Sequence, residues 1–133
     1  MERATQQSGL IDTDILIDSS RGMSAAGSFL DDRQSGDGIS ISIISAMELL
    51  GGCRSKAQLA DVREFIRQAK VLPLTIKVSR RAMSLMEEFT LSHHLMLPDA
   101  LIAATCLEAN LPLFTRNVRH FNVIQGLEVV RPY

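Results

Sequence analysis

Hydrophobic residues along this chain alternate between short continuous runs and helical spacing. The run at residues 8–11 predicts a strand, and apolar positions then recur at helical intervals until a break at 22–24. A second helix extends to the turn at 35–38, after which alternating Ile and Ser in residues 39–44 predict the next strand. About 26 residues separate the two strands, more than the dozen or so that a parallel crossover needs, so the chain begins as a β-α-β unit.

The second half of the chain continues this alternation. Strands are predicted at 71–74, 111–114 and 129–130, and Pro73 indicates that the first of these lies at a sheet edge. Helices are predicted to start at residues 45, 55, 78 and 98. Alternating strands and helices predict a three-layer α/β/α fold with a mostly parallel central sheet. A length of 133 residues with 46% hydrophobic content fits one domain, residues 1–133, with a substantial core.

Composition excludes several classes of protein. No apolar run approaches the roughly 20 residues needed to cross a bilayer, and residues 1–8 lack the apolar core of a signal peptide, so a cytoplasmic protein is expected. Cys53 and Cys106 are too few for a disulfide framework and are predicted to be buried thiols in helices. A net charge of -1 gives no global attraction to nucleic acid, so a polyanionic substrate needs a local basic patch or bound metal.

Three acidic residues stand at the ends of predicted core elements. Asp12 directly follows the first strand, Glu48 comes shortly after the second, and Asp99 lies at the start of a later helix. Ligands of parallel α/β folds bind beyond the carboxyl ends of the strands, where Asp12 and Glu48 are expected. Partly desolvated carboxylates that gather there repel one another unless a cation offsets their charge. The arrangement therefore predicts a metal site.

Asp12 and Glu48 can also be explained by helix capping alone. Asp12 suits a helix N-cap, although the apolar strand before it favours a metal ligand, and Asp14 is a weaker candidate because it can face solvent. The sequence from Ser45 to Glu48 matches the Ser-x-x-Glu pattern of a capping box. Against that, Gly51 and Gly52 lie one turn onward and leave room for another backbone or a ligand. The residues alone leave Glu48 undecided.

Asp99 heads a helical face that is expected to pack inward. Proline and an acid in a first turn also suit the helix dipole without any chemistry. The face continues through Ile102, Ala103 and Cys106, however, so the acid should point towards the core and need a partner. The adjacent residues His93 and His94 are a weak metal signal that is also explained by capping or exposure.

The segment after the strand at 111–114 carries a second group of polar residues. Thr115 and Asn117 offer a hydroxyl and an amide, and both also suit ordinary turn and cap chemistry. Arg116 and Arg119 are the more informative residues, because cations beside clustered acids are candidates for holding a phosphate backbone. His120 completes the group, and its part in the site is open.

Together these residues resemble those of PIN-domain proteins, specifically the VapC family of toxin ribonucleases. The resemblance covers almost the whole chain, and it is carried by residues 10–17, 44–49, 97–105 and 114–121 in the family's order and spacing. Each motif alone is short and weak, but the four motifs together are specific to the family. The resemblance implies an endoribonuclease toxin of a type II toxin–antitoxin system, in which Asp12, Glu48 and Asp99 are acidic metal ligands. It also favours function over capping for Glu48.

One departure from the family concerns Asn117, where many PIN domains carry a fourth acid. The amide brings no charge, so the number of metal ions stays open and Asp14 is a partial substitute. The implied reaction is hydrolysis of an RNA phosphodiester bond with Mg²⁺ or Mn²⁺, both of which prefer oxygen ligands. Thr115 is expected to position the phosphate or a ligand water, and Arg116 and Arg119 to hold the RNA. The resemblance further implies a homodimer and a VapB-type antitoxin.

Other classes fit the sequence less well. A phosphatase of the haloacid-dehalogenase type also carries two aspartates after its first strand, but it wants Thr or Val where Leu16 stands. A receiver domain needs a lysine after a late strand, where Arg116 stands. The remaining alternative is a catalytically weak PIN-like module that binds RNA or protein. Asn117 favours that module, and the three acids favour the enzyme.

Overall fold

A five-stranded parallel sheet forms the centre of the molecule in the computed structural model, which describes residues 7–133. All four pairings between neighbouring strands are parallel, in the order β3-β2-β1-β4-β5. The first strand is therefore central and the third lies at an edge, as Pro73 predicted. The strands are β1 (Leu10–Ile11), β2 (Ser40–Ser42), β3 (Lys70–Leu72), β4 (Leu113–Phe114) and β5 (Val129–Val130).

Helices cover both faces of the sheet, which confirms the predicted three-layer α/β/α fold. Within residues 7–133, no helix is both long enough and apolar enough to cross a membrane. The short helix after β4 is a feature that the hydrophobic pattern did not indicate. The helices are α1 (Thr13–Ser20), α2 (Ser24–Ser35), α3 (Ile43–Gly51), α4 (Lys56–Gln68), α5 (Ile76–His93), α6 (Leu97–Ala109) and α7 (Val118–Phe121).

The start of α3 corrects one prediction. Its N-cap is Ser42, whose Oγ accepts a hydrogen bond from the Ile44 backbone N–H at 3.0 Å, so β2 ends two residues earlier than predicted. Ser45 lies inside the helix and is fully buried. The capping box between Ser45 and Glu48 is therefore wrong, because such a box needs serine at the N-cap, whereas Ser45 lies three residues beyond the N-cap Ser42.

Successive residues of the central strands point to opposite faces of the sheet and so contribute to two hydrophobic cores. Leu10 and Leu113 pack with the α5 and α6 side chains, among them Phe89 and Ile102. The next residues along the same strands pack with α1 and α2 on the other face. Ala100, Ala103 and Ala104 of α6 are completely buried, as expected for a helix that approaches its neighbours closely.

Phe114 on β4 and Phe121 are the largest completely buried side chains among residues 7–133. The Phe114 ring meets Phe29 edge-on at 5.2 Å between centroids, and the buried guanidinium of Arg33 lies 5.0 Å from the Phe114 ring centroid. A Cβ at Gly9 would stand 2.3 Å from the Phe114 ring, which no packed structure tolerates. Glycine is thus required immediately before β1.

The two cysteines differ in their surroundings. Cys106 is completely buried in α6, as predicted. Cys53 is only half-buried and lies in the loop after α3, where its Sγ is 3.4 Å from the Leu49 carbonyl. The prediction that both thiols are buried in helices is therefore wrong for Cys53, because α3 ends at Gly51.

Candidate active site

Asp12 lies at the carboxyl end of the central strand β1 and is also the N-cap of α1. Its Oδ1 accepts a hydrogen bond from the Thr13 backbone N–H at 2.8 Å, and its Oδ2 accepts one from the Thr115 hydroxyl at 2.8 Å. The residue is only 6% exposed. Burial, assisted by the negative charge of Asp14, raises the pKa of Asp12 to about 7 from its ordinary 3.8.

Asp14 turns inward beside Asp12. Its Oδ2 accepts hydrogen bonds from the Arg116 backbone N–H at 3.0 Å and from the Thr115 hydroxyl at 3.2 Å. Its Oδ1 is buried and has no hydrogen-bond partner among the described residues. Burial raises the pKa of Asp14 as well. The expectation that this residue can simply face solvent is therefore wrong, and an unsatisfied buried oxygen here suits a cation ligand.

Thr115 joins the two aspartates from the end of β4. Its side chain is completely buried, and its single hydroxyl proton is shared between Asp12 and Asp14. The same oxygen accepts a hydrogen bond from the Asn117 backbone N–H at 3.0 Å. Asn117 itself is exposed and is the N-cap of α7, although its side chain makes no capping bond. Thr115 is thus a fixed part of the site, whereas Asn117 lies at its rim.

Glu48 reaches the site from α3. It is an exposed residue, but its Oε1 accepts a hydrogen bond of 2.7 Å from the Thr13 hydroxyl at the start of α1. The Thr13 hydroxyl oxygen is also 2.8 Å from the Oγ of the buried Ser45. No other segment of the described chain approaches the two glycines that follow: a Cβ at Gly51 would meet open space, and the atoms nearest to one at Gly52 are carbonyls of its own helix.

Asp99 enters from the first turn of α6, above the buried residues Ile102, Ala103 and Cys106, as the helical spacing predicted. Burial, together with the negative charge of Glu48, raises the pKa of Asp99. The predicted need for a partner is met by His120, whose Nε2 lies 2.8 Å from Oδ2 without the alignment of a full hydrogen bond.

Arg116 belongs to a network that the sequence analysis missed. Its Nη1 forms an ion pair of 2.9 Å with Asp18, and its guanidinium lies 5.4 Å from the centroid of the Tyr133 ring. The Tyr133 hydroxyl also donates to Asp18, at 2.9 Å. The bond from Arg116 keeps the pKa of Asp18 below its usual value. Asp18 follows Asp14 by one helical turn, and that spacing was the available signal for its role.

The site offers the oxygen ligands that a hard divalent cation prefers. Asp12, Asp14, Glu48 and Asp99 supply carboxylate oxygens. The charges of Asp14 and Asp99 help to raise the pKa of Asp12, and those of Glu48 and Asp14 help to raise the pKa of Asp99. Within residues 7–133, however, no three acidic, histidine or cysteine side chains are already gathered into a cage for one ion. A cation would therefore draw the carboxylates together, with the partnerless Oδ1 of Asp14 as one further ligand.

Comparison with known proteins defines the class first. The sequence profile of the PIN domain matches residues 9–126. Ribonuclease VapC10 of Mycobacterium tuberculosis is 37% identical over 120 residues, which are 90% of this chain and 90% of that protein. Ribonuclease VapC19 of the same species is 34% identical over 121 residues, 90% of this chain and 96% of the relative. The chain therefore belongs to the PIN-domain family, among its VapC ribonucleases, and the resemblance drawn from the sequence is confirmed.

Solved structures agree with this assignment. A toxin–antitoxin complex from Klebsiella pneumoniae contains a chain that is 34% identical and superposes with a TM-score of 0.77 over 95% of this chain and 98% of that one. The DNA-bound VapBC complex of Salmonella typhimurium gives a TM-score of 0.81 over 96% and 100% of the two chains, and at 23% identity it supports the fold alone. VapC-type PIN ribonucleases generally depend on a divalent metal.

Proposed function

We propose that this chain is an endoribonuclease toxin of a type II toxin–antitoxin system, which hydrolyses RNA phosphodiester bonds in a single PIN-like domain. The observation that supports this most is the buried Asp12 carboxylate at the end of the central strand. It is held by Thr13 and Thr115, and its pKa is raised to about 7 by burial and by neighbouring acids. A fold carries such a charge cluster at a cost in stability, which a functional cation offsets.

The proposed ligands are Asp12, Glu48 and Asp99, with Asp14 as a further carboxylate and Asn117 as a neutral contact. Mg²⁺ or Mn²⁺ suits this set because both ions prefer oxygen ligands, and the set contains neither cysteine nor histidine. His120 lies beside the set as the partner of Asp99. When bound, the ion supplies charge to offset that of the scissile phosphate and lowers the pKa of the attacking water.

The chain's own residues hold this site in place. Thr115 fixes the Asp12 and Asp14 carboxylates through one hydroxyl, and the Arg116 backbone N–H fixes Asp14 from the other side. These donors come from the polypeptide itself, so they orient Asp12 and Asp14 before a substrate arrives. Arg119 is exposed and is the simpler candidate for a phosphate contact. Arg116 forms an ion pair with Asp18. This ion pair orients the guanidinium for its proposed contact with RNA.

The proposed partners are RNA, a VapB-type antitoxin and a second copy of the chain, all in the cytoplasm. Support for the antitoxin comes from the Klebsiella pneumoniae relative, which was solved as a toxin–antitoxin complex. The homodimer rests on the family resemblance. Co-expression with the product of a short neighbouring reading frame should relieve growth arrest caused by the toxin. Arrest that no neighbouring product relieves would count against the antitoxin.

RNA cleavage by the purified chain tests the activity directly. We expect cleavage with Mg²⁺ or Mn²⁺, none after chelation, and a loss of about a hundredfold or more in Asp12→Asn, because one charged ligand is gone while the cap remains. Asp31→Asn is the matched control, since Asp31 is exposed on α2, outside the acidic site. Initial rates on a labelled RNA give the comparison.

Two results would contradict the proposal in different ways. Cleavage that persists in both Asp12→Asn and Asp99→Asn would place the chemistry elsewhere. RNA binding without cleavage in either metal would favour the alternative of a catalytically weak PIN-like binding module, to which the neutral Asn117 lends support.

A further inference from the structure

Glu48 is the least enclosed of the proposed ligands. It lies on an exposed stretch of α3, whereas Asp12 is buried and Asp14 and Asp99 are half-buried. A flexible exposed side chain close to the like charge of Asp99 should turn away into solvent unless something holds it. Its described contact is the 2.7 Å hydrogen bond to the Thr13 hydroxyl.

The proton count of the neighbouring hydroxyls fixes the direction of these bonds. The Thr13 oxygen lies 2.8 Å from Ser45 Oγ and 2.7 Å from Glu48 Oε1, yet it carries one proton. If Thr13 donated its proton to Ser45, the lone pairs of the Thr13 oxygen would face the negatively charged Glu48 carboxylate, which is unfavourable. Both contacts are favourable only when Ser45 donates to Thr13 and Thr13 donates to Glu48. The second bond is then charge-assisted, which agrees with its short length.

Burial makes this pair of hydroxyls rigid. Ser45 is completely buried and Thr13 is 7% exposed, so both side chains are largely shielded from water. The pair also joins the first turn of α1 to α3, the helices that follow the adjacent strands β1 and β2. The two hydroxyls therefore fix the Glu48 carboxylate relative to the central strands, although the Glu48 side chain is itself flexible.

We propose that Thr13 and Ser45 are positioning residues that hold Glu48 in the cation site through a directed hydroxyl relay. This inference rests on the proposed function, in that Glu48 is taken as a cation ligand. Partners that orient a metal ligand typically change metal affinity by about 10- to 100-fold when they are removed. The relay should therefore be visible in cation binding itself, without any measurement of RNA cleavage.

Isothermal titration of Mn²⁺ into the purified chain tests the relay. We expect Thr13→Val to weaken Mn²⁺ binding about tenfold, while Thr13→Ser, which keeps the hydroxyl, binds like the wild type. Ser45→Ala should weaken binding less than Thr13→Val, because the bond from Thr13 to Glu48 survives. Thr105→Val is the matched control: its hydroxyl is equally buried but bonds to the Leu101 carbonyl within α6.

A double-mutant cycle separates a relay from general damage to the fold. If Thr13 acts through Glu48, Thr13→Val should have no further effect on Mn²⁺ affinity in a Glu48→Gln background. Equal weakening in both backgrounds would overturn the relay, as would wild-type affinity in Thr13→Val. Should Glu48→Gln alone leave the affinity unchanged, the ligand role of Glu48 falls, and the proposed site then needs revision as well. Ser45→Ala and Thr13→Ser keep the test decisive if Thr13→Val fails to fold.

Discussion

A single side chain, that of Asp12, carries two roles at once. One oxygen caps α1 through the Thr13 N–H, and the other accepts the Thr115 hydroxyl within the acidic site. Cap and ligand were alternatives in the sequence, and the structure shows that capping occupies only one carboxylate oxygen. Each oxygen retains a lone pair for a cation. The cap therefore helps to keep a buried charge in place and leaves it available for binding.

The raised pKa of Asp12 predicts how the metal-free protein responds to pH. The folded state holds the Asp12 proton more tightly than the unfolded state, so this group's contribution to stability is complete below about pH 4 and is lost as the pH rises to about 7. Asp12→Asn removes the charge but keeps the cap. Its gain in unfolding free energy over the wild type should be roughly 2 kcal/mol larger at pH 8 than at pH 5.

Urea unfolding with chelator at the two pH values measures this difference. Asp31→Asn serves as the control and should show no such pH dependence. A gain that is equal at both pH values, or larger at pH 5, would mean that the Asp12 carboxyl titrates normally in the folded protein.

The beginning of α3 shows how one helical element determines what its side chains can do. Ser42 and Ser45 are both good N-cap residues, and local sequence does not decide between them. Because the helix begins with Ser42 as its cap, Ser45 is moved into the interior and Glu48 is released from backbone capping. The carboxylate can then bond to Thr13, which lies 35 positions earlier in the chain.

The close packing of β1 against β4 predicts that alanine substitutions at Gly9 and Gly51 differ sharply in their effect on stability. Gly9→Ala should lower the free energy of unfolding by about 2 kcal/mol, because the new methyl group overlaps the completely buried Phe114 ring. Gly51→Ala is the matched control: its methyl group meets open space at the end of α3, so it should be neutral or stabilising by roughly 0.5 kcal/mol. Chemical denaturation of both variants checks the pair, and equal effects would contradict the close approach at Gly9.

Across the whole molecule, the sequence specified what depends on local pattern. Hydrophobic periodicity predicted the layers and the parallel sheet, Pro73 predicted the edge position of β3, and the strand ends located Asp12 and Thr115 at one edge. What it missed depends on contacts across the chain. Asp18 meets Tyr133 115 positions away, and Asp99 meets His120 rather than the histidines next to it in sequence. Such pairs arise only once the sheet order brings distant segments together.

The proposed activity requires the acidic side chains of α1, α3 and α6, with the α1 N-cap Asp12, to converge on a divalent cation. The most direct measurement is an anomalous difference map from a crystal of this protein soaked in Mn²⁺. We expect a peak roughly 2.0–2.6 Å from carboxylate oxygens of Asp12 and Asp99, with Glu48 or Asp14 completing the contact. A well-diffracting soaked crystal with no anomalous peak among these carboxylates, or with manganese bound only elsewhere, would contradict the proposed site.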